Sequence, residues 1–351
     1  MPSTLPDFDG LIHWDRLNEW LASRNLPGRG AVTQVEKLTG GTQNNLFLMR
    51  REGGEFVLRR PPLHLRRHSN DTMLREARVL QALAGSDVPH PGFLAVCEDA
   101  NVIGACFYLM EPLEGFSLRG LLPGRYAVDP DWRRAIGSEM VRAAAALSKI
   151  DHVEKGLENF GKPADWHTRQ VDRWRSQLEG YNQLPGYPGS VLPHVDEVCQ
   201  WLGDNLPSQK RIGLIHGDFQ FTNAMFSMNA PVISGMIDWE LSSLGDPLLD
   251  LAWALARWVE PDDPEGFDPF LEPWEGFMTT KDMASMYGDM TGRDMSELAW
   301  YRVLAGYKMG CIFEGSYARA LAGQAPIATG ERLHRSALWL LRKSWRVARK
   351  S

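Results

Sequence analysis

The spacing of apolar positions changes several times along the chain, and each change predicts an element. Between residues 9 and 24, Leu11, Trp14, Leu17, Trp20 and Leu21 recur at helical intervals, with Asp9 available as a cap and Pro27-Gly28 as a stop. This predicts an N-terminal docking helix within residues 1–29. From 31 to 60 the pattern becomes strand-like. Val32, Val35 and Leu38 lead into a polar, Gly-containing turn from Thr39 to Asn45. Leu46-Phe47-Leu48-Met49 follows, then a Gly53-Gly54 turn, then Phe56-Val57-Leu58-Arg59, which predicts three short antiparallel strands. Met73, Ala77, Leu80 and Leu83 return to helical spacing over 72–84, a helix to pack on that sheet. The run Val102 to Met110 predicts another strand, stopped at Glu111-Pro112-Leu113-Glu114-Gly115 by Pro and Gly.

Beyond that stop the pattern is mostly helical, over 131–150, 165–180, 191–206 and 297–349, with short strands and tight turns at 212–240. The domain reading is therefore a docking helix in 1–29, a sheet-built N-lobe in 30–112 and a helical C-lobe in 113–351. The fold class expected is α+β and bilobal, a small antiparallel-sheet lobe plus a larger helical one. A length of 351 residues is suited to two domains, taking about 150 residues for each. Lys and Arg number 38 against 44 Asp and Glu, a net charge of −6, so neither nucleic acid nor an anionic membrane is expected as a partner. Four scattered cysteines, Cys97, Cys106, Cys199 and Cys311, form no C-x-x-C pair. With no leader-like start and no long uncharged apolar run, a cytoplasmic location is expected.

The chemistry concentrates in Leu214-Ile215-His216-Gly217-Asp218-Phe219-Gln220-Phe221-Thr222-Asn223 and in Met236-Ile237-Asp238-Trp239-Glu240. Two apolar stretches between them flank a turn at Asn229-Ala230. A hairpin folded there brings Asn223 and Asp238 to its open end, an amide oxygen beside a carboxylate. Such a pair suits Mg²⁺, a hard cation that takes one or two protein oxygens and completes its shell with water and phosphate. Asp218, on the loop before Asn223, is then positioned to accept the proton of an attacking hydroxyl. Taken singly, each residue also reads as an ordinary turn or cap residue; the joint order H-G-D-x-x-x-x-N, hairpin, I-D-x-E carries the functional reading.

On these motifs the chain resembles the aminoglycoside phosphotransferase and choline kinase-like family, whose fold is a relative of the protein-kinase fold, over about residues 30 to 340. Val57-Leu58-Arg59-Arg60-Pro61-Pro62 is similar in particular to kinase-like domains fused to some acyl-CoA dehydrogenases. The resemblance implies ATP and Mg²⁺ as cofactors, Asp218 as catalytic base, and Asn223 and Asp238 as metal ligands, with Glu240 a nearby acid of variable role. It also implies that the Gly40-Gly41 turn, with Thr42 and Asn44, lies near the nucleotide phosphates, where glycines admit close backbone approach. Arg59 takes the place of the third-strand cation and Glu76 that of its helical partner, although the commonest cation there is Lys and a planar fork holds phosphate differently. Strand alternation points the neighbouring Arg60 to the opposite face. Glu111 and Leu113 correspond to the hinge that meets the adenine edge.

After Asp238 the chain runs through Asp246 and Asp250 straight into a helix, with no long activation segment, so a small-molecule hydroxyl rather than a protein is the expected acceptor. In the resembling family those two acids are mainly structural. The acidic run from Glu260 to Glu275 reads either as an attraction for a cationic acceptor or as a solvated face, and Trp253, Trp258 and Trp274 either as pocket lining or as core. The function expected is an ATP-dependent small-molecule kinase. The alternatives are a catalytically inactive nucleotide-binding pseudokinase acting as scaffold or regulator and, less favoured, a nucleotidyl transferase.

Overall fold

The computed structural model describes residues 5–38, 44–264 and 271–351, which fall into two units, residues 1–115 with 234–242 and residues 116–233 with 243–351. The first contains helix α1 (Trp14–Ala22), strands β1 (Arg29–Leu38), β2 (Asn45–Glu52) and β3 (Gly54–Arg60), helix α2 (Ser69–Leu83), and strands β4 (Phe93–Cys97) and β5 (Phe107–Met110). The strands form one antiparallel sheet in the order β1-β2-β3-β5-β4. Side chains alternate across it. Phe47 and Met49 of β2, Phe56 and Leu58 of β3, and Phe107 and Leu109 of β5 are fully buried in one cluster with Leu11, Ile12, Leu17 and Leu21 of the N-terminal segment. Val57 and Arg59 take the other face of β3, and α2 packs against β4 and β5.

Two differences from the sequence reading have local causes. Helix α1 starts at Trp14 with His13 at its cap position, because Phe8 and Asp9 adopt left-handed backbone angles and turn the chain before the helix begins. The strand expected from Val102 is paired only from Phe107, since turns closed by Val102 N–H to Asp99 O and Gly104 N–H to Ala100 O occupy the preceding residues. Its sheet neighbour β4 is a strand beyond those that the sequence reading predicts.

The second unit opens with short strands β6 (Phe116–Ser117) and β7 (Gly120–Leu121) and helices α3 (Gly124–Val128), α4 (Pro130–Ser148), α5 (Trp166–Gly180) and α6 (Val195–Asp204). Strands β8 (Gly213–Ile215) and β9 (Ala224–Phe226) follow, then β10 (Ile233–Met236), with which the chain passes to the first unit. It returns with β11 (Ser243–Gly245), α7 (Leu248–Ala256), β12 (Leu271–Glu272), α8 (Thr280–Thr291), α9 (Leu298–Leu321) and α10 (Ile327–Lys350). The helical tail is thus two helices, divided by Gly323 at positive φ and Pro326. Helix α4 begins where Asp129 accepts the Asp131 N–H and Pro130 supplies a first residue that needs no N–H partner. Helices α9 and α10 pack closely because Gly306 faces Ser344, where a Cβ would stand 2.2 Å from the Ser344 Oγ. Among the described residues, no helix is long and apolar enough to cross a membrane.

Candidate active site

In the sheet unit, register brings the expected cation to its partner. Arg59 of β3 lies opposite Tyr108 of β5, and both reach Glu76 on α2. Arg59 Nη2 donates to Glu76 Oε1 at 3.3 Å and Tyr108 Oη to Glu76 Oε2 at 2.9 Å. Arg59 Nε stands 2.8 Å from Glu76 Oε2, an ion-pair distance without hydrogen-bond alignment. Nη2 also donates to Asp238 Oδ1 at 2.8 Å. Arg59 and Glu76 are buried. Burial lowers the guanidinium's pKa, but Glu76, Tyr108 and Asp238 outweigh it and hold the pKa well above the ordinary value. Burial also pushes Glu76 up, against the pull of Arg59. Asp238 sits at φ 66°, on a turn braced by Trp239 Nε1 donating to Met236 O at 2.9 Å, and its side chain remains 38% exposed. Glu240 lies two residues further on, in the short 3₁₀ turn Trp239–Leu241.

Arg60 serves the opposite face. It is 1% exposed and donates to the carbonyls of Leu11, Ile103 and Pro61, tying the N-terminal segment to the sheet. Glu111 is exposed, and its N–H donates to Gly92 O at 2.8 Å. Leu113 packs beside Gly235, where a Cβ would stand 2.5 Å from Leu113 Cδ1. Asn44 is half-buried, one residue before β2. Gly40, Gly41 and Thr42 lie outside the described residues.

In the helical unit, β8 pairs antiparallel with β11, which sets the loop after β8 beside the first turn of α7. Gly217 adopts φ 81°, a left-handed conformation that glycine enters without a Cβ clash, and so turns the chain between His216 and Asp218. Asp250 of α7 accepts from His216 N–H at 2.8 Å and Gly217 N–H at 2.9 Å. The half-buried Asp218 carboxylate is held from several sides: Gln220 Nε2 and Trp253 Nε1 each donate to Oδ1 at 2.9 Å, and Asn223 Nδ2 donates to Oδ2 at 2.8 Å and to the Asp218 carbonyl at 2.9 Å. With its nitrogen spent on Asp218, Asn223 turns its amide oxygen away, toward a 3.4 Å contact from Thr222 Oγ1. Ser227 N–H donates to Val232 O at 3.0 Å, closing the turn read at Asn229-Ala230.

Asp246 is fully buried, and hydrogen bonds from His167, Tyr301 and Arg293 overcome the upward push of burial and hold its carboxyl below the usual range. Its partners make it a structural tie. Glu260, Asp262 and Asp263 of the acidic run are already matched by Arg302, Lys343, Arg346 and Lys350 of α9 and α10; the Glu260–Arg302 pair stands at 2.6 Å and the Asp263–Arg346 pair at 2.7 Å. Trp253 and Trp258 are core residues, although Trp258 stacks on Phe221 with ring centroids 5.0 Å apart. Trp274 is half-exposed and stacks on Phe277 at 4.2 Å.

The sequence reading gives Tyr108 and Lys308 no part at the site, and it offers Trp253 as pocket lining or core but not as a donor to Asp218. Tyr108 was signalled by alternation on β5, and Trp253 by its place three residues after Asp250 on one helix. Lys308 was visible as a lone charge in the run Leu304-Ala305-Gly306-Tyr307-Lys308-Met309-Gly310-Cys311.

The model of the phosphotransferase enzyme family, APH, matches residues 34–288. Among curated proteins, the chain is 31% identical over 346 residues to acyl-CoA dehydrogenase family member 10 of Mus musculus, covering 97% of this chain and 31% of that protein. It is 31% identical over 324 residues to the probable acyl-CoA dehydrogenase IBR3 of Arabidopsis thaliana, covering 87% and 38%. The chain thus spans about a third of the length of these relatives. Among solved structures, a Ralstonia eutropha protein with a provisional aminoglycoside phosphotransferase name aligns at a TM-score of 0.80 and 29% identity, covering 96% of this chain and 98% of that one. The GDP complex of aminoglycoside 2'-phosphotransferase-IIIa aligns at 0.61 with 15% identity, covering 88% and 93%, a likeness of fold alone. Both the family anticipated from the H-G-D and I-D-W-E motifs and its α+β kinase-like fold are those found.

Proposed function

This chain belongs to the phosphotransferase enzyme family, and we propose that it is an ATP-dependent kinase acting on the hydroxyl of a small molecule, with Asp218 as the base. The observation that carries the reading is the Asp218 carboxylate, oriented by Gln220, Asn223 and Trp253 yet only half-buried. A fixed, partly exposed anion is what an incoming alcohol needs from a general base. Asp218 accepts the hydroxyl proton as the alcohol oxygen attacks the terminal phosphorus of ATP; the bond to ADP breaks, and the proton stays on the carboxylate.

The sheet unit supplies the hold on the nucleotide. Arg59, kept charged and aimed by Glu76, binds the phosphates. At Glu111-Pro112-Leu113, Pro112 has no N–H and the Glu111 N–H is engaged with Gly92, so the Leu113 N–H is the donor assigned to the adenine edge. Each unit offers one oxygen of the type Mg²⁺ takes: Asn223 an amide oxygen in the helical unit, and Asp238, in the sheet unit, the carboxylate oxygen that Arg59 does not take. Those are the two residues assigned to the ion, which would neutralise charge on the phosphates.

Among the described residues of the helical unit, the charges near Asp218 favour a neutral or anionic acceptor over a polycation. Lys308 and Arg257 both lie within electrostatic reach of Asp218, with Arg173 near the first and Arg332 near the second, while Glu260, Asp262 and Asp263 are already paired. The names of the relatives point toward acyl-CoA metabolism, so hydroxy acids and their CoA esters head the panel to be tested. The test is incubation of the protein with Mg-ATP and that panel, with sugars, amino alcohols and aminoglycosides beside it. A gain of about 80 Da on one hydroxyl compound, lost in Asp218→Asn, is the expected result. Transfer to nothing, or equal transfer by Asp218→Asn, overturns the reading.

A further inference from the structure

Helix α9 carries a lysine where its surroundings are apolar. Lys308 is only 9% exposed, its ammonium 4.6 Å from the ring centroid of Trp253 on α7 and 5.5 Å from that of Trp174 on α5. Burying an ammonium is costly unless it finds partners, and Lys308 finds them in the loop that bears Asp218. Its Nζ donates to the Gly217 carbonyl at 3.3 Å, while Asp250 holds the Gly217 N–H from α7. The Gly217 residue is therefore gripped at both its N–H and its carbonyl by oppositely charged side chains of two helices. Glycine has the freest backbone of any residue, so an ungripped Gly217 would let the following Asp218 swing. The ring on which Lys308 rests also aims Asp218, because Trp253 Nε1 donates to its Oδ1.

We propose that Lys308 is a positioning residue: by holding the Gly217 carbonyl and bracing Trp253, it fixes the direction of the Asp218 carboxylate. The charged groups around it are Asp218 on the loop, Asp250 on α7 and Arg173 on α5. The inference rests on the reading of Asp218 as base.

The test compares Lys308→Met with Lys308→Arg. Met fills a similar volume without charge, and the Lys308 ammonium donates to a backbone carbonyl rather than to a carboxylate, so its removal does not strand a salt-bridge partner. Small displacements of a reacting group have large kinetic effects, so the Met variant is expected to lose roughly 10- to 100-fold in kcat with KM for ATP within about twofold of the parent. Lys308→Arg keeps a donor and a charge and is expected to retain more kcat than Met. A lysine that merely fills space gives the reverse order, since Met fits the cavity and Arg overfills it; that order overturns the inference. A second readout needs no turnover: the indole Nε1–H resonance of Trp253, assigned with Trp253→Phe in protein carrying ¹⁵N-labelled tryptophan. It is expected to move in Asp218→Asn and in both Lys308 variants. A resonance that moves in Asp218→Asn but stays in place in both Lys308 variants overturns the inference. If the parent transfers phosphate to no hydroxyl, the base reading fails, and the resonance still decides whether Lys308 orients the carboxylate.

Discussion

Arg59 Nη2 donates to Asp238 Oδ1 at 2.8 Å while Glu76 faces the same guanidinium from α2. One cation thus serves two carboxylates, and on the proposed function it has a third claimant in the nucleotide phosphates. Asp238 then competes with phosphate for Arg59 when no metal is bound and recruits phosphate when Mg²⁺ is present. Asp238→Asn is expected to strengthen ATP binding severalfold in EDTA and to weaken it about tenfold, roughly 1.4 kcal/mol, in excess Mg²⁺. Titration calorimetry under both conditions reads the change of sign. The same sign in both rules out Asp238 as a metal ligand.

The Arg59–Glu76 pair also bears on stability. Removing one partner of a buried pair strands the other charge, which costs about 3–5 kcal/mol, whereas neutralising both avoids that penalty. Arg59→Met should lower the unfolding free energy from urea titration by an amount of that order, and adding Glu76→Gln should recover part of it. A double variant less stable than Arg59→Met would show that Glu76 is satisfied without Arg59, by Tyr108 alone.

Arg60 should behave unlike its neighbour. Arg60→Met leaves the carbonyls of Leu11 and Ile103 without this donor, and about 3 kcal/mol of stability is expected to go with them. Hydrogen exchange should rise across residues 7–22, where the cluster of Leu11, Ile12, Leu17 and Leu21 loses its tie, while the Kd for ATP stays within about twofold. A loss of nucleotide affinity equal to that of Arg59→Met would contradict the division of labour between the two faces of β3.

That division was legible in the sequence, because a strand has a period of two and neighbouring residues must part. The order H-G-D-x-x-x-x-N was legible for a similar reason: a glycine turn followed by a fixed spacing leaves few conformations. What stayed hidden depended on distant chain. Glu260, Asp262 and Asp263 read as unmatched acids because the cations that match them sit at Arg302, Lys343, Arg346 and Lys350, in helices whose packing no local pattern reveals. The stretch from Val102 read as a strand because its residues are apolar, yet Gly104 at φ 83° sits in a turn and Val102 only packs against the core cluster. Apolar character reports burial more directly than it reports backbone shape.

The two charges that grip Gly217 set a pH window. Burial pushes Asp250 up to about 6, against the N–H groups of Gly217 and His216 and against Lys308. It pushes Lys308 down to about 8, against Asp218 and Asp250. Both are charged only between these values. Below about pH 6 Asp250 gains a proton and one of its oxygens becomes a donor; above about pH 8 Lys308 becomes neutral. The expected kcat profile is a bell with limbs near those values. Stability runs the other way. Asp250 has a higher pKa folded than its ordinary 3.8, so the folded chain holds the extra proton between, and this contribution declines as pH rises from about 4 to 6. Lys308 has a lower pKa folded than its ordinary 10.5, so the unfolded chain holds the extra proton there, and this contribution grows as pH rises from about 8 to 10.5. The grip is therefore least favourable to the fold in the range where both its charges act. Lys308→Arg, whose guanidinium does not deprotonate in this range, should abolish the alkaline limb of kcat and the alkaline rise of the urea midpoint together. An alkaline limb that persists unchanged in Lys308→Arg assigns it to another group and removes Lys308 from the pH dependence.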